Sequence, residues 1–291
     1  MLNLQGTGVA AVTPFNENGE VDFPALENLI NHLIDGGIEY IVSLGTTGET
    51  ATLTAQEKQD IWKFTSEKVA GRVPLIAGIG GNNTLEIGKQ MASFNIEGYD
   101  AILSVSPYYN KPTQEGIYQH YKYLSEHSKL PIILYNVPGR TGSNMLADTT
   151  IRLANDFKNI IAIKEASANF DQFNQIMRDK PAHFSLISGD DPITLQMMSM
   201  GAIGVISVVG NALPRQFSTM VRLCLSGKFA EAATIHASLI EFTRLLFAEG
   251  NPAGVKSALK ILGVCEDYVR LPLVKASKEL ENSISAILND N

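Results

Sequence analysis

The sequence predicts an α/β fold: a (β/α)8 TIM barrel with a helical C-terminal extension. Three observations lead there. Eight short apolar runs, most of them bounded by Gly, Pro or Asn, recur along the first two thirds of the chain. An amphipathic segment separates each run from the next, which implies parallel pairing through right-handed crossovers. Beyond about residue 212 the strand pattern stops and only helical periodicity remains.

In order, VAAVTPF (9–15) is the first strand and 22–35 the first helix. YIVSLG (40–45) precedes a helix over 54–70 that Thr54 can cap. VPLIAGIG (73–80) pairs with helix 84–97, AILSVSP (101–107) with 113–128, and PIILYNVP (131–138) with 147–157. IIAIKEAS (160–167) is followed by 169–179, FSLISGD (184–190) by 191–200, and GVISVVG (204–210) closes the set. The tail offers helices over 212–225, 228–248, 252–263 and 273–288. Residues 1–224 are therefore assigned to the barrel and 225–291 to a C-terminal helical subdomain. An open doubly wound sheet fits less well. It often carries a glycine fingerprint after its first strand, where this chain has TPFNENG, and GIGGNN (78–83) has Asn83 where the last glycine belongs.

A net charge of −7 with no Lys/Arg cluster argues against a nucleic-acid partner. Any anionic substrate must be held by local groups, because the overall field repels it. Two cysteines, Cys224 and Cys265, and an N-terminus without a charged-then-apolar leader suit a reducing, cytoplasmic setting. No apolar run is long enough to span a membrane. The histidines are scattered without ligand spacing, so no metal is expected.

Active sites of such barrels lie at the C-terminal strand ends. The polar residues there are Thr13, GTTGET (45–50), SPYYN (106–110), Tyr135 with Asn136 and Arg140, Lys164, and SGDD (188–191). Lys164 interrupts an otherwise apolar strand. Alternation puts Ala162, Lys164 and Ala166 on one face and Ile161, Ile163 and Glu165 on the other. A desolvated amine beside small residues suits a Schiff base with a carbonyl substrate. It would equally suit a buried ion pair with Glu165 or Asp190. Tyr135, at comparable depth on the neighbouring strand, is either a proton shuttle or a packed aromatic. GTTGET can bind a carboxylate through hydroxyls and backbone N–H groups, or be an ordinary turn. Arg140 can grip a second carboxylate, or be a solvated loop residue. Asp190 and Asp191 read as caps of the following helix.

GTTGET, SPYYN, YNVPGRTG (135–142) and AIKEAS, in this order and at barrel-strand spacing, resemble the family of pyruvate-dependent class I aldolases that contains dihydrodipicolinate synthases and N-acetylneuraminate lyases. The resemblance covers essentially the whole chain. It implies that Lys164 forms an imine with pyruvate and that Tyr135, bonded to Thr46, passes protons. Tyr109 would complete that relay in a partner subunit's site. Thr47 would hold the pyruvate carboxylate, Ile206 would contact pyruvate through its main chain and Gly189 would also contact it, while Arg140 would grip the carboxylate of aspartate-4-semialdehyde. YNVPGRTG is the synthase form of its strand, so the implied reaction is condensation of these two substrates to 4-hydroxy-tetrahydrodipicolinate, in diaminopimelate and lysine biosynthesis. The alternative is a lyase acting on N-acetylneuraminate or a 2-keto-3-deoxy sugar acid. No cofactor is implied. A homo-oligomer is, as a dimer sharing Tyr109 and usually a tetramer. Thr50, Ala51, Lys58, Asn82, Glu86 and Tyr108 are the candidates for the family's allosteric pocket, and Asn82, Glu86 and Tyr108 match it. Lysine-inhibited members carry histidines where this chain has Ala55 and Lys58, so weak or absent lysine inhibition is expected.

Overall fold

The computed structural model describes residues 2–95 and 97–289. Its elements run β1 Gly6–Ala10, α1 Phe23–Asp35, β2 Tyr40–Ser43, α2 Ala55–Val69, β3 Leu75–Gly78, α3 Thr84–Ser93, β4 Ala101–Val105, α4 Gln114–His127 and β5 Ile132–Asn136. There follow a one-turn α5 Pro138–Thr141, α6 Ala147–Asp156, β6 Ile160–Glu165, α7 Phe170–Asp179, β7 Ser185–Ser188, α8 Thr194–Ser199, β8 Gly204–Ser207 and α9 Pro214–Leu225. Three more helices complete the described chain: α10 Phe229–Phe247, α11 Ala253–Ile261 and α12 Lys278–Asn289. The eight strands close into a barrel in sequence order, all parallel, with β8 returning to β1 at Gly6↔Gly204. A side chain on Gly204 would collide with the Gly6 backbone, so the closing seam depends on glycine there.

Strand alternation sorts the core into two layers. Ala10, Val42, Ile76, Leu103, Ile133, Ala162, Ile187 and Ile206 pack inside the barrel. Their neighbours Val9, Ile41, Leu134, Ile163, Leu186 and Val205 pack outward against the helices. Side-chain oxygens that accept from the first-turn N–H groups start several helices, among them Asp22, Asn83, Thr113 and Asn169. Thr54 and Glu57 form a reciprocal capping box at α2.

Four details depart from the sequence reading. The first strand is Gly6–Ala10 rather than 9–15. Residues 11–15 are largely apolar and buried at the barrel mouth without continuing the strand; there Phe15 bridges to Val21 and the Thr13 hydroxyl donates to the Gly48 carbonyl at 2.7 Å. Along β6, Ile161 does not follow Ile163 to the outer face. A register shift opposite Ile132/Ile133 turns it toward the inner cluster. Asp191 does not cap α8. Its Oδ2 accepts from the Val208 and Val209 amides at 2.8 and 2.9 Å, tying the turn after β7 to the end of β8. The last helix starts at Lys278, not 273. Pro272 precedes it, and the Ser277 hydroxyl accepts from Leu280 N at 3.1 Å, a cap that fixes the start. Among the described residues no helix is long and apolar enough to cross a membrane.

Candidate active site

At the C-terminal rim of the barrel, β5 and β6 pair so that Tyr135 stands level with Lys164. The Lys164 ammonium nitrogen lies 4.4 Å from the centroid of the Tyr135 ring. Both line a cavity of about 200 Å³, together with Thr46, Thr47, Arg140 and Gly189. The sequence-predicted substrate and proton-transfer residues thus converge within one chain, except Ile206 and Tyr109. The Ile206 side chain sits buried in the inner barrel cluster, and Val208, two residues on, lines the cavity wall. Tyr109 is 87% exposed, with its backbone in the left-handed region at φ 70°.

Electrostatics bear on both readings open for Lys164. Burial lowers its pKa from the ordinary lysine value to about 8, and the nearby Arg140 charge pushes the same way, while Asp191 and Asp190 pull it back up. Glu165 does not neutralise it. That carboxylate faces outward and accepts from Asn136 Nδ2 at 3.1 Å, Gln172 Nε2 at 2.8 Å and the Ser167 amide at 2.9 Å. The network braces the ends of β5 and β6 from behind. At pH 7 roughly a tenth of such an amine is neutral, against well under a thousandth for an ordinary lysine.

Tyr135 moves the opposite way. Burial pushes its phenol up to about 12, opposed by Arg140 and by a hydrogen bond with Thr46. It therefore stays protonated at neutral pH and can donate. Gly189 makes room for the lysine: a Cβ there would sit 2.9 Å from Lys164 Cγ and 3.0 Å from Ala166 Cβ. Arg140 stands on the exposed one-turn α5, and no side chain among the described residues engages its guanidinium.

Arg140 also lines a second, adjoining cavity of about 360 Å³. Thr50, Ala51, Lys58 and Tyr108 line that cavity too. Asn82 touches its edge, donating to the Tyr108 carbonyl at 3.4 Å, while Glu86 lies in the first turn of α3, off the lining.

Sequence reasoning missed the groups that come from the chain's far end. Asn251, just before α11, lines both cavities and donates from Nδ2 to the Thr47 hydroxyl at 2.9 Å. Glu49, within GTTGET, is ion-paired with Lys256 at 2.6 Å, both fully buried. No local pattern links position 49 to 256. The only sequence signal was a lysine flanked by apolar and small residues in a helical segment. Among the described residues no cluster of His, Cys, Asp or Glu has the makings of a metal site.

Comparison with known proteins agrees with this geometry. The chain is 55% identical to the 4-hydroxy-tetrahydrodipicolinate synthase of Parabacteroides distasonis over 94% of its own length and 92% of that protein. It is 52% identical to that of Phocaeicola vulgatus over 99% and 97%. The crystal structure of dihydrodipicolinate synthase from Aquifex aeolicus superposes with a TM-score of 0.95 at 44% identity, covering 99% of this chain and 98% of that one. The profile of the Dihydrodipicolinate synthetase family matches residues 3–291, and the chain belongs to that family.

Proposed function

We propose that this chain condenses pyruvate with L-aspartate-4-semialdehyde through a Schiff base on Lys164, giving 4-hydroxy-tetrahydrodipicolinate. The observation that carries the reading is a desolvated, unneutralised lysine level with a protonated tyrosine, in one cavity with an uncommitted arginine.

Neutral Lys164 attacks the pyruvate ketone, and the resulting carbinolamine loses water to give a protonated imine. Tyr135 supplies the proton that lets hydroxide leave as water, with Thr46 orienting the phenol. The Thr47 hydroxyl and the adjacent backbone N–H groups receive the pyruvate carboxylate, and Gly189 leaves the space the imine needs. The Tyr135 phenolate left by that step takes a methyl proton from the imine, giving an enamine, and returns it to the aldehyde oxygen as the enamine carbon attacks the aldehyde. Arg140 holds the carboxylate of that second substrate bidentately. The amine of the new chain then displaces Lys164, which closes the ring and restores the free lysine. One water leaves overall, and no electrons are exchanged with an external partner.

Tyr109 fits a role across a subunit contact. A tyrosine so exposed, on strained backbone, is well placed to enter a neighbouring copy's site and extend the Tyr135 relay. A dimer follows from that role.

The test is product formation from pyruvate and aspartate-4-semialdehyde, with N-acetylneuraminate cleavage run alongside. Condensation without cleavage supports the reading; cleavage of the sugar acid with no condensation refutes it.

A further inference from the structure

We propose that the buried Glu49–Lys256 ion pair, together with the Asn251–Thr47 hydrogen bond, makes the C-terminal helices a positioning element for keto-acid binding. They hold the GTTGET turn in the shape that grips the carboxylate. The inference rests on the reading above, in which that turn receives the pyruvate carboxylate.

The pair is placed as a clamp rather than as chemistry. Neither Glu49 nor Lys256 lines the cavity that holds Lys164. Glu49 joins two single turns of 3-10 helix, Thr46–Gly48 and Thr50–Thr52, and its backbone is left-handed at φ 52°. That conformation is uncommon for a residue with a long side chain and persists only where surroundings enforce it. Both carboxylate oxygens are committed. Oε1 accepts from Lys256 Nζ at 2.6 Å and Oε2 from the Arg270 amide at 3.0 Å. Lys256 is aimed in turn by the Tyr268 carbonyl at 2.7 Å and by the face of Phe15 at 4.2 Å. The Arg270 guanidinium adds bonds to Glu57 and to the Thr52 carbonyl at 3.1 Å. Two residues before Glu49, the Thr47 hydroxyl accepts from Asn251 and so keeps its own hydrogen free to donate to a ligand.

Stability alone does not explain the arrangement. A buried ion pair is often no more stabilising than a well-packed apolar pair of the same volume. What the ion pair adds is direction: it fixes a charged side chain, and hence a strained backbone, at one place. Every donor in the clamp comes from residues 251–270, more than two hundred positions along the chain from the turn it holds.

The experiment compares the wild type with two variants, Glu49→Gln/Lys256→Met and Asn251→Ala. The first removes both buried charges while keeping an acceptor for the Arg270 amide, and the second leaves no buried charge behind. Pyruvate half-saturation is read both from steady-state kinetics and from borohydride trapping on Lys164. The expected result is a rise in the pyruvate KM of about tenfold or more, with a smaller change in kcat and in the aldehyde KM. Unchanged pyruvate KM in the folded variants, with only a lowered melting temperature, overturns the inference and leaves a merely structural pair. If the double variant does not fold, Asn251→Ala decides alone by the same criterion. If the wild type itself is not trapped on Lys164, the catalytic reading fails and this inference with it. If it is trapped and the variants saturate at the wild-type concentration, only the positioning role fails.

Discussion

Lys164 and Tyr135 stand opposite one another in the β5–β6 ladder, and the amine lies 4.4 Å from the phenol ring centroid. One environment drives their pKa values apart. Burial lowers the ammonium to about 8 and raises the phenol to about 12, so near pH 8 the nucleophile is half free while the acid keeps its proton. Register places the pair, and desolvation sets its protonation.

The first consequence is a pH profile. The rate of imine formation, followed as kcat/KM for pyruvate or as trapping rate, should rise about tenfold per pH unit below the lysine pKa and level off above about 8. A profile still rising steeply at pH 10 would mean that Lys164 behaves as an ordinary exposed lysine.

Two buried lysines should respond oppositely to substitution by methionine. The depressed pKa of Lys164 means the folded state binds fewer protons than the unfolded chain between about pH 8 and 10.5. Its burial cost is therefore fully present below about pH 8 and is relieved as pH rises through that window. Lys164→Met should abolish activity yet stabilise the fold at pH 7, by at most on the order of 3 kcal/mol. Lys256→Met strands Glu49 in the core and should destabilise by about 3–5 kcal/mol. Thermal or denaturant melts of both variants check the contrast.

Tyr135→Phe keeps the ring beside the amine and removes the hydroxyl that carries the proton. It should lower kcat by about 10²- to 10⁴-fold while the melting temperature changes little. Retained kcat would assign the proton transfer elsewhere.

Gly189→Ala should be a nearly silent change for the fold and a severe one for the reaction. The added methyl would press on Lys164 Cγ and on Ala166, and the lysine side chain is the part able to move. Slower trapping of Lys164, with an unchanged circular dichroism spectrum, is the expected outcome.

Free lysine should inhibit weakly or not at all. Lys58 lines the cavity beside the site, where burial pushes its ammonium pKa down, and a second ammonium would meet like-charge repulsion. Lysine titration of the condensation rate checks this, and strong inhibition below millimolar concentration would contradict it. Lys58→His should then strengthen the response.

Local pattern carried most of the barrel and the half of the site that sits on strand ends. IIAIKEAS announces both a buried strand and the one lysine within it, and YNVPGRTG places Tyr135 at the end of the neighbouring strand and Arg140 just beyond it. What stayed hidden depends on long-range pairing. The sequence reading starts the first strand at Val9, whereas β1 begins at Gly6 and needs glycine at position 8, because a Cβ there would meet the Tyr40 ring. Asp191 looked like a local cap because its true partners, the Val208 and Val209 amides, lie across a helix and a strand. Lys256 belongs to a helix whose periodicity reports only that it is a helix, and Asn251 lies in the turn just before it. Their contacts with Thr47 and Glu49 exist only once the tail folds back over the barrel mouth.

The most direct test of the central claim is to incubate the protein with pyruvate, reduce with borohydride and map the adduct by peptide mass spectrometry. The account predicts a single reduced pyruvyl adduct on Lys164, none on Lys256, and none anywhere in Lys164→Met. Pyruvate binding to the folded protein with Lys164 unmodified, or an adduct on another lysine, would contradict it.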